Sequence, residues 1–470
     1  MFCKKCGSPL PDGSRFCTLC GADQSASTQM SELSPGSPPP SVKKNRGHGL
    51  TALIVMLTVL LAGALGMLVY SLFLQEPVEA SASHTAASRQ DGPEAGLTEP
   101  FEDPTASTSP SVEETDATNP PPTAADHARS ILDGMSTEEL IYQLFIVTPE
   151  SLTDTDAVQA SSPELTDALA SMPVGGVILA EWNILTPEQC TGLINAMQSA
   201  ARTPMFMAVN EEGGSYTEIS HSSAMGIAQI PLAGDMGDTQ TAYDHYLGLG
   251  TSIHALGFNL DLAPVADVNS DPGNILMGKR AFGSDPETAA QMLVSAAKGL
   301  SDGSVIPCLK HYPGHGDVEM GTYAHCGKTL DELKETELIP FMAGIEAGVP
   351  MIMAGYIVCP NVTGDDLPAP LSQKLIGQLL RTELGFDGIV MTDVLLREDV
   401  TRMFPDGQAA ILALQAGCDL LLMPDDPQST MKAILAALES GDLEMARLEE
   451  SVLRVLRLKI EYGIIPADMT

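Results

Sequence analysis

The chain has 470 residues, with 24 Lys+Arg against 61 Asp+Glu and a formal net charge of −37. That length exceeds one typical domain, and that charge excludes a nucleic-acid partner, whose phosphates demand a basic face. Aromatic residues make up only 4% while Gly (42) and Pro (34) are plentiful, which suits an α/β core with many tight turns.

The chain opens on two CxxC knuckles, Cys3-x2-Cys6 and Cys17-x2-Cys20. Four thiolates so spaced close a tetrahedral structural zinc site over residues 1–23, with no open position for catalysis. The pattern resembles the short zinc ribbons at the start of many bacterial membrane proteins. The other cysteines, Cys190, Cys308, Cys326, Cys359 and Cys418, show no compact spacing and read as buried thiols. Residues 24–49 are a Ser/Pro-rich linker ending in Lys43, Lys44 and Arg46. Leu50 to Leu74 then runs 25 residues without a charge, enough to span a bilayer as one helix. The basic cluster before it predicts a cytoplasmic N-terminus, where the ribbon meets an unidentified partner, and an extracellular remainder. Residues 75–125 are rich in Ser, Thr, Pro and carboxylates, with Arg89 the one arginine. Such a stretch cannot bury a core and is expected to be a disordered stalk.

From residue 126 to 470 short apolar runs alternate with helical patterns. The runs are Leu144–Val147, Val177–Ala180, Met205–Val209, Leu260–Ala263, Val305–Leu309, Met351–Ala354, Ile389–Met391 and Leu420–Met423. Between them lie helix-compatible segments such as Glu188–Ala201, Ala289–Leu300, Asp331–Ala347, Ser372–Leu384 and Thr430–Leu438. Eight strand-then-helix units predict parallel strands and a (β/α)8 barrel, with an open doubly wound sheet as the alternative. In a barrel the chemistry collects at the carboxyl ends of the strands. Those ends carry Asn210-Glu211-Glu212-Gly213-Gly214, Asp267 with Asn269, Lys310-His311, Tyr356 and Thr392-Asp393. The densest is Lys310-His311-Tyr312-Pro313-Gly314-His315-Gly316-Asp317, expected as a polar turn after the fifth run.

The stretches GGVILAEWNILTPEQ, AVNEEGG, LDLAPVADVNSDPGN, GKRAFGSDP, KHYPGHGD, LGFDGIVMTD, AGCDLLLMP and ESVLRVLRLK resemble, in order and spacing, glycoside hydrolase family 3. The resemblance is to its β-N-acetylglucosaminidase branch, and it covers residues 130–466. It implies a (β/α)8 barrel and hydrolysis of terminal β-N-acetylglucosaminides with retention, without a catalytic cofactor. On the matching positions it implies Asp393 as nucleophile and Asn210, Arg280, Lys310, His311 and Asp267 as substrate-binding residues. The sequence stops short of the family's extra C-terminal sandwich domain, so the compact single-barrel branch is the expectation.

The sequence also departs from the family pattern. Asn210 stands where an aspartate is usual, Ser215 where an arginine is, and Tyr356 where a histidine is. The branch uses a loop histidine as proton donor, with an aspartate two residues earlier as its partner. Here His325 is the candidate acid/base, two residues late, and Tyr323 takes the partner's place, with Asp317 and Glu319 as substitutes. A sugar-binding sensor or scaffold without turnover, or an enzyme for another sugar, is therefore the alternative.

Overall fold

The computed structural model describes residues 123–469 apart from 154, 275, 321, 322 and 406. The four N-terminal cysteines, the linker, the apolar stretch 50–74 and nearly all of the stalk lie outside the described residues. Among the described residues no helix is long and apolar enough to cross a membrane.

Eleven strands follow in chain order. They are β1 (Phe145–Val147), β2 (Gly176–Ile178), β3 (Phe206–Val209), β4 (Leu260–Asp261), β5 (Ile306–Tyr312), β6 (Glu319–Met320), β7 (Ala324–His325), β8 (Met351–Ala354), β9 (Ile357–Val358), β10 (Ile389–Thr392) and β11 (Leu421–Leu422). Eight of them form one parallel sheet in the order β10-β8-β5-β4-β3-β2-β1-β11, each within or overlapping one of the apolar runs. The sheet closes where Met391 bridges to Leu420 and the Thr392 amide donates to the Leu420 carbonyl at 2.9 Å. That closure removes the open-sheet alternative. The strands are apolar on both faces, since one side fills the barrel and the other lies under helices. Phe145, Ile146, Val147, Phe206, Met207, Val390 and Met391 are fully buried.

Local signals set the helix starts. Thr186, Asp285 and Asp426 accept hydrogen bonds as N-caps, each followed by proline in the first helical turn. The seam is tied from below by Asp419, which is fully buried. It accepts from the Val390 amide (3.0 Å), Ser451 (2.7 Å) and Arg447 (3.1 Å), and pairs with Arg381. All five downstream cysteines are free and buried, in line with the sequence reading.

Three expectations need correction. The segment Asp331–Ala347 is two helices, Leu330–Glu335 and Leu338–Glu346. The break lets the buried Glu337 accept from Lys328 at 2.6 and 2.8 Å and from Ser270 at 2.7 Å, tying two rim loops together. Ser372–Leu384 is not an α-helix but a π-helix over Lys374–Glu383. Finally, Lys310 and His311 do not sit on a turn, because β5 continues through Tyr312. A small second sheet, β6-β7-β9, was not foreseen.

Candidate active site

The carboxyl ends of β3, β4, β5 and β10 bring the candidate residues to one rim. At its centre is Glu212, 4% exposed, just after β3. Arg280 grips it with both arms of its guanidinium, Nε to Oε2 and Nη2 to Oε1, each at 2.8 Å. Lys310 donates to the same carboxylate at 2.7 Å and to Asn210 Oδ1 at 2.5 Å. Burial alone would raise the Glu212 pKa; the Lys310 charge and the Arg280 hydrogen bonds and charge outweigh it and hold the carboxyl at about 2. Its neighbour Glu211 is structural. Its carboxylate accepts the backbone amides of Glu218, Ile219 and Ser220 at 2.8, 2.9 and 3.0 Å, which closes the loop after β3. Gly213 turns that loop at φ 107°, and a Cβ there would lie 2.5 Å from the Pro231 carbonyl oxygen.

A second pair lies beside the first. Asp267, after β4, is buried and accepts His311 Nδ1 on Oδ2 at 2.8 Å. Its Oδ1 accepts the amides of His315 at 2.7 Å and His311 at 3.2 Å. Burial opposes ionisation of Asp267, but the His311 charge and hydrogen bond prevail and hold it at about 2. Binding Nδ1–H to a carboxylate orients the imidazole and leaves Nε2 for a ligand. The loop packs so closely that a Cβ on Gly316 would meet the Val268 carbonyl oxygen at 1.7 Å.

Asp393 follows β10 and is half-buried. Its amide donates to the Ala354 carbonyl at 3.0 Å, and its Oδ1 accepts the Val394 amide at 2.7 Å. Among the described residues its Oδ2 accepts no hydrogen bond. Its charge acts on three neighbours: His315, Tyr356 and Arg397. Burial, with the His311 charge, pushes His315 down to about 4 against the pull of Asp267 and Asp393, so its imidazole is neutral at pH 7. His315 Nδ1 and the Tyr356 hydroxyl are both buried without a hydrogen-bond partner. Burial, then the Asp393 charge, lifts the Tyr356 phenol well above its ordinary range. The Arg397 guanidinium lies 5.2 Å from the Tyr356 ring centroid and is held by Asp399 at 2.8 Å.

The substrate-binding candidates Asn210, Arg280, Lys310, His311 and Asp267 thus converge, with Asp393 electrostatically linked to the same group. His325 stands apart. It lies on β7, which pairs antiparallel with β6 and parallel with β9. Side chains alternate along a strand, and Ala324 and Cys326 take the buried face, leaving His325 exposed. Among the described residues no hydrogen bond or ion pair reaches its side chain. Tyr323 turns inward, stacked on Tyr356 with centroids 6.0 Å apart, and Asp317 is paired with Lys328 at 3.5 Å.

Sequence reasoning placed Glu212 and His315 in the polar stretches at the strand ends but gave them no role, and it did not single out Arg397. Glu212 left a signal: two adjacent glutamates between a buried strand and a glycine pair, one closing the loop and one holding Arg280 and Lys310. Arg397 left none, because its place beside Asp393 depends on the path of the loop.

Residues 136–458 match the Glycosyl hydrolase family 3 N terminal domain, and residues 2–23 match a zinc-ribbon domain. The chain is 30% identical over 338 residues to beta-hexosaminidase A of Pseudoalteromonas piscicida, covering 64% of this chain and 56% of that one. It is 30% identical over 339 residues to beta-hexosaminidase LpqI of Mycobacterium tuberculosis, covering 69% and 83%. The solved structure of a family 3 beta-N-acetylglucosaminidase from Paenibacillus sp. superposes with a TM-score of 0.66 at 31% identity, covering 72% of this chain and 65% of that one. The chain therefore spans just over half of the Pseudoalteromonas relative and just under two thirds of the Paenibacillus one. With the closed eight-stranded barrel and the polar cluster on its carboxyl rim, these matches place the chain in glycosyl hydrolase family 3.

Proposed function

We propose that the barrel is a retaining β-N-acetylhexosaminidase that removes terminal β-N-acetylglucosamine from glycans. The observation that carries the reading is the free Oδ2 of Asp393 at the mouth where Arg280, Lys310, Asn210 and the His311–Asp267 pair converge. In this reading the sugar sits on the fixed donors, which recognise hydroxyls because an unsatisfied buried donor is costly. Asp393 attacks the anomeric carbon, the glycosidic bond breaks, and the leaving oxygen takes a proton from an acid. The resulting glycosyl ester is then hydrolysed by water. His325 is the proposed acid, delivered from the β6–β7 hairpin.

The names of the relatives support this substrate class, and the donor set is made for an uncharged polyhydroxylated ring. The test is hydrolysis of an aryl β-N-acetylglucosaminide by the full chain. Turnover by the natural sequence no greater than that of Asp393→Ala removes the reading.

The exposed, unpartnered His325 favours one second reading: a sugar-binding sensor or scaffold with little turnover. An activated aryl glycoside needs little protonation of its leaving group, so it separates a missing acid from a missing pocket. For the rest of the chain, four thiolates at Cys3, Cys6, Cys17 and Cys20 are a closed donor set for one structural zinc. In the same reading residues 50–74 cross the membrane once, and the barrel stands outside the cell.

A further inference from the structure

We infer that the mouth of the barrel carries an aromatic platform, built on Tyr216 and Trp182, that binds additional sugar units of a neutral β-linked amino-sugar oligosaccharide. The inference rests on the reading of the pocket given above and extends it from one sugar to a chain of several.

The first observation is where apolar surface is left open. Among the described residues the exposed large hydrophobic side chains are Trp182 (46%), Leu185, Tyr216 (38%), Leu276, Leu396, Met403 and Met445. All but Met445 lie in the connections that follow the carboxyl ends of β2, β3, β4 and β10, Met403 at the end of the short helix Glu398–Met403 and the others nearer the strands. These connections leave the same rim that holds the polar cluster, where apolar surface open to solvent is available to a ligand.

The second observation joins Tyr216 to the pocket. The Arg280 guanidinium lies 4.6 Å from its ring centroid while both arms of that guanidinium hold Glu212. The carbonyl of Tyr216 accepts the amides of Glu212 (2.9 Å) and Gly213 (3.3 Å), so the ring is carried on fixed backbone at the edge of the sugar site. Trp182 comes from the next loop, since β2 and β3 are neighbours. Its segment is also fixed. The Asn183 side chain is 1% exposed, donating to Glu150 at 2.6 Å and to the Val158 carbonyl at 3.0 Å. The Trp182 carbonyl accepts from Gln159 at 2.9 Å, and the Glu181 amide donates to Glu218, on the Tyr216 loop, at 2.8 Å. Two aromatic faces on loops stapled to one another lose little freedom when a ligand stacks on them.

Charge selects the occupant. Glu181 and Glu218 border this platform on a chain of net charge −37. A glycan bearing carboxylates is repelled, whereas neutral N-acetylated sugars present apolar C–H faces to the rings and amides to the rim.

Trp182 is the only tryptophan of the chain, so its fluorescence reports on this surface alone. The full chain carrying Asp393→Asn, in detergent, is titrated with N-acetylglucosamine, with its β-1,4-linked trimer, and with neutral lipid vesicles. The trimer is expected to shift the emission to the blue and the monosaccharide to leave it in place. In the otherwise natural chain, Trp182→Ala and Tyr216→Ala are each expected to raise KM for the trimer by roughly fivefold. Trp182→Phe, which keeps a ring, should recover most of that loss. Trimer that inhibits aryl-glycoside hydrolysis yet leaves the emission unmoved overturns the platform and leaves the hydrolase reading intact. A response to vesicles but not to trimer assigns the surface to lipid and equally overturns it. Absence of binding by both sugars removes platform and pocket together.

Discussion

Replacing Glu212 by glutamine tests the centre of the site. In the folded chain this carboxylate sits between Arg280 and Lys310, whose side chains are 10% and 4% exposed. The substitution keeps the shape and deletes the one negative charge that both cations share. The Glu212 pKa lies at about 2 against an ordinary value of 4.5, a difference worth about 3 kcal/mol of folding free energy. Removing one partner of a buried ion pair typically costs about 3–5 kcal/mol, so the two routes agree. For a barrel of this size that is a fall in Tm of about 5 °C. A carboxylate with a depressed pKa stabilises fully above its unfolded value and loses the effect as pH falls through the folded one. The stability gap between the natural chain and Glu212→Gln is therefore full above pH 4.5 and closes as the pH drops toward about 2. Binding should suffer as well, because Arg280 and Lys310 lose the anchor that aims them. Thermal unfolding followed by circular dichroism from pH 3 to 8, with KM for an aryl β-N-acetylglucosaminide, measures both. Equal Tm at neutral pH together with an unchanged KM would refute the claim that this carboxylate organises the site.

Other expectations follow from the same geometry. Asp393→Ala should abolish hydrolysis while leaving the folding free energy within about 1 kcal/mol of the natural chain, since its carboxylate accepts only a local amide; a large loss of stability would mean the residue is structural. His325→Ala should cost about 10²–10⁴-fold on a natural disaccharide and much less on an activated aryl glycoside, and equal losses on the two would remove it as proton donor. Asp267→Asn should raise KM through His311, which loses the carboxylate that fixes its ring; an unchanged KM separates the pair from binding. Lys459 is fully buried, and burial brings its pKa down to about 7 from 10.5. Between those values the unfolded chain holds a proton that the folded chain does not, so this group makes stability rise with pH across that window. Lys459→Met should flatten the rise in Tm between pH 7 and 9, and parallel pH profiles of the two proteins would contradict the assignment.

The proton-donor region illustrates how neighbouring elements set a residue's chances. In the branch that the chain resembles, the donor rides on a loop. Here Glu319–Met320 pairs antiparallel with Ala324–His325, and that second strand is also paired with β9, just after β8. Glu337, Lys328 and Ser270 brace the same rim through hydrogen bonds of 2.6–2.8 Å. His325 is thus held on a strand paired on both sides, and the His325→Ala comparison tests whether it serves a glycosidic oxygen from there.

Much was legible in the chain itself, for a local reason. Strands covered on both sides are apolar along most of their length, so the runs from Leu144 to Met423 stand out in the sequence, with polar residues marking their carboxyl ends. Asp393, Asn210 and Asp267 could be named because they stand at or shortly after the ends of such runs, and Arg280, like the roles of all four, because its stretch resembles a family motif. What the local pattern could not hold was pairing. Arg280 meets Glu212 across 68 positions, Lys310 meets Asn210 across 100, and Met391 meets Leu420 only because the ring closes. Periodicity reports on neighbours a few residues apart, while these contacts depend on register around a barrel. For the same reason Lys310 was expected on a turn and proved to be a buried strand residue, and His325 emerged on an exposed face that alternation along β7 imposed. The residue types were written in order along the chain; closure of the barrel decided which of them meet.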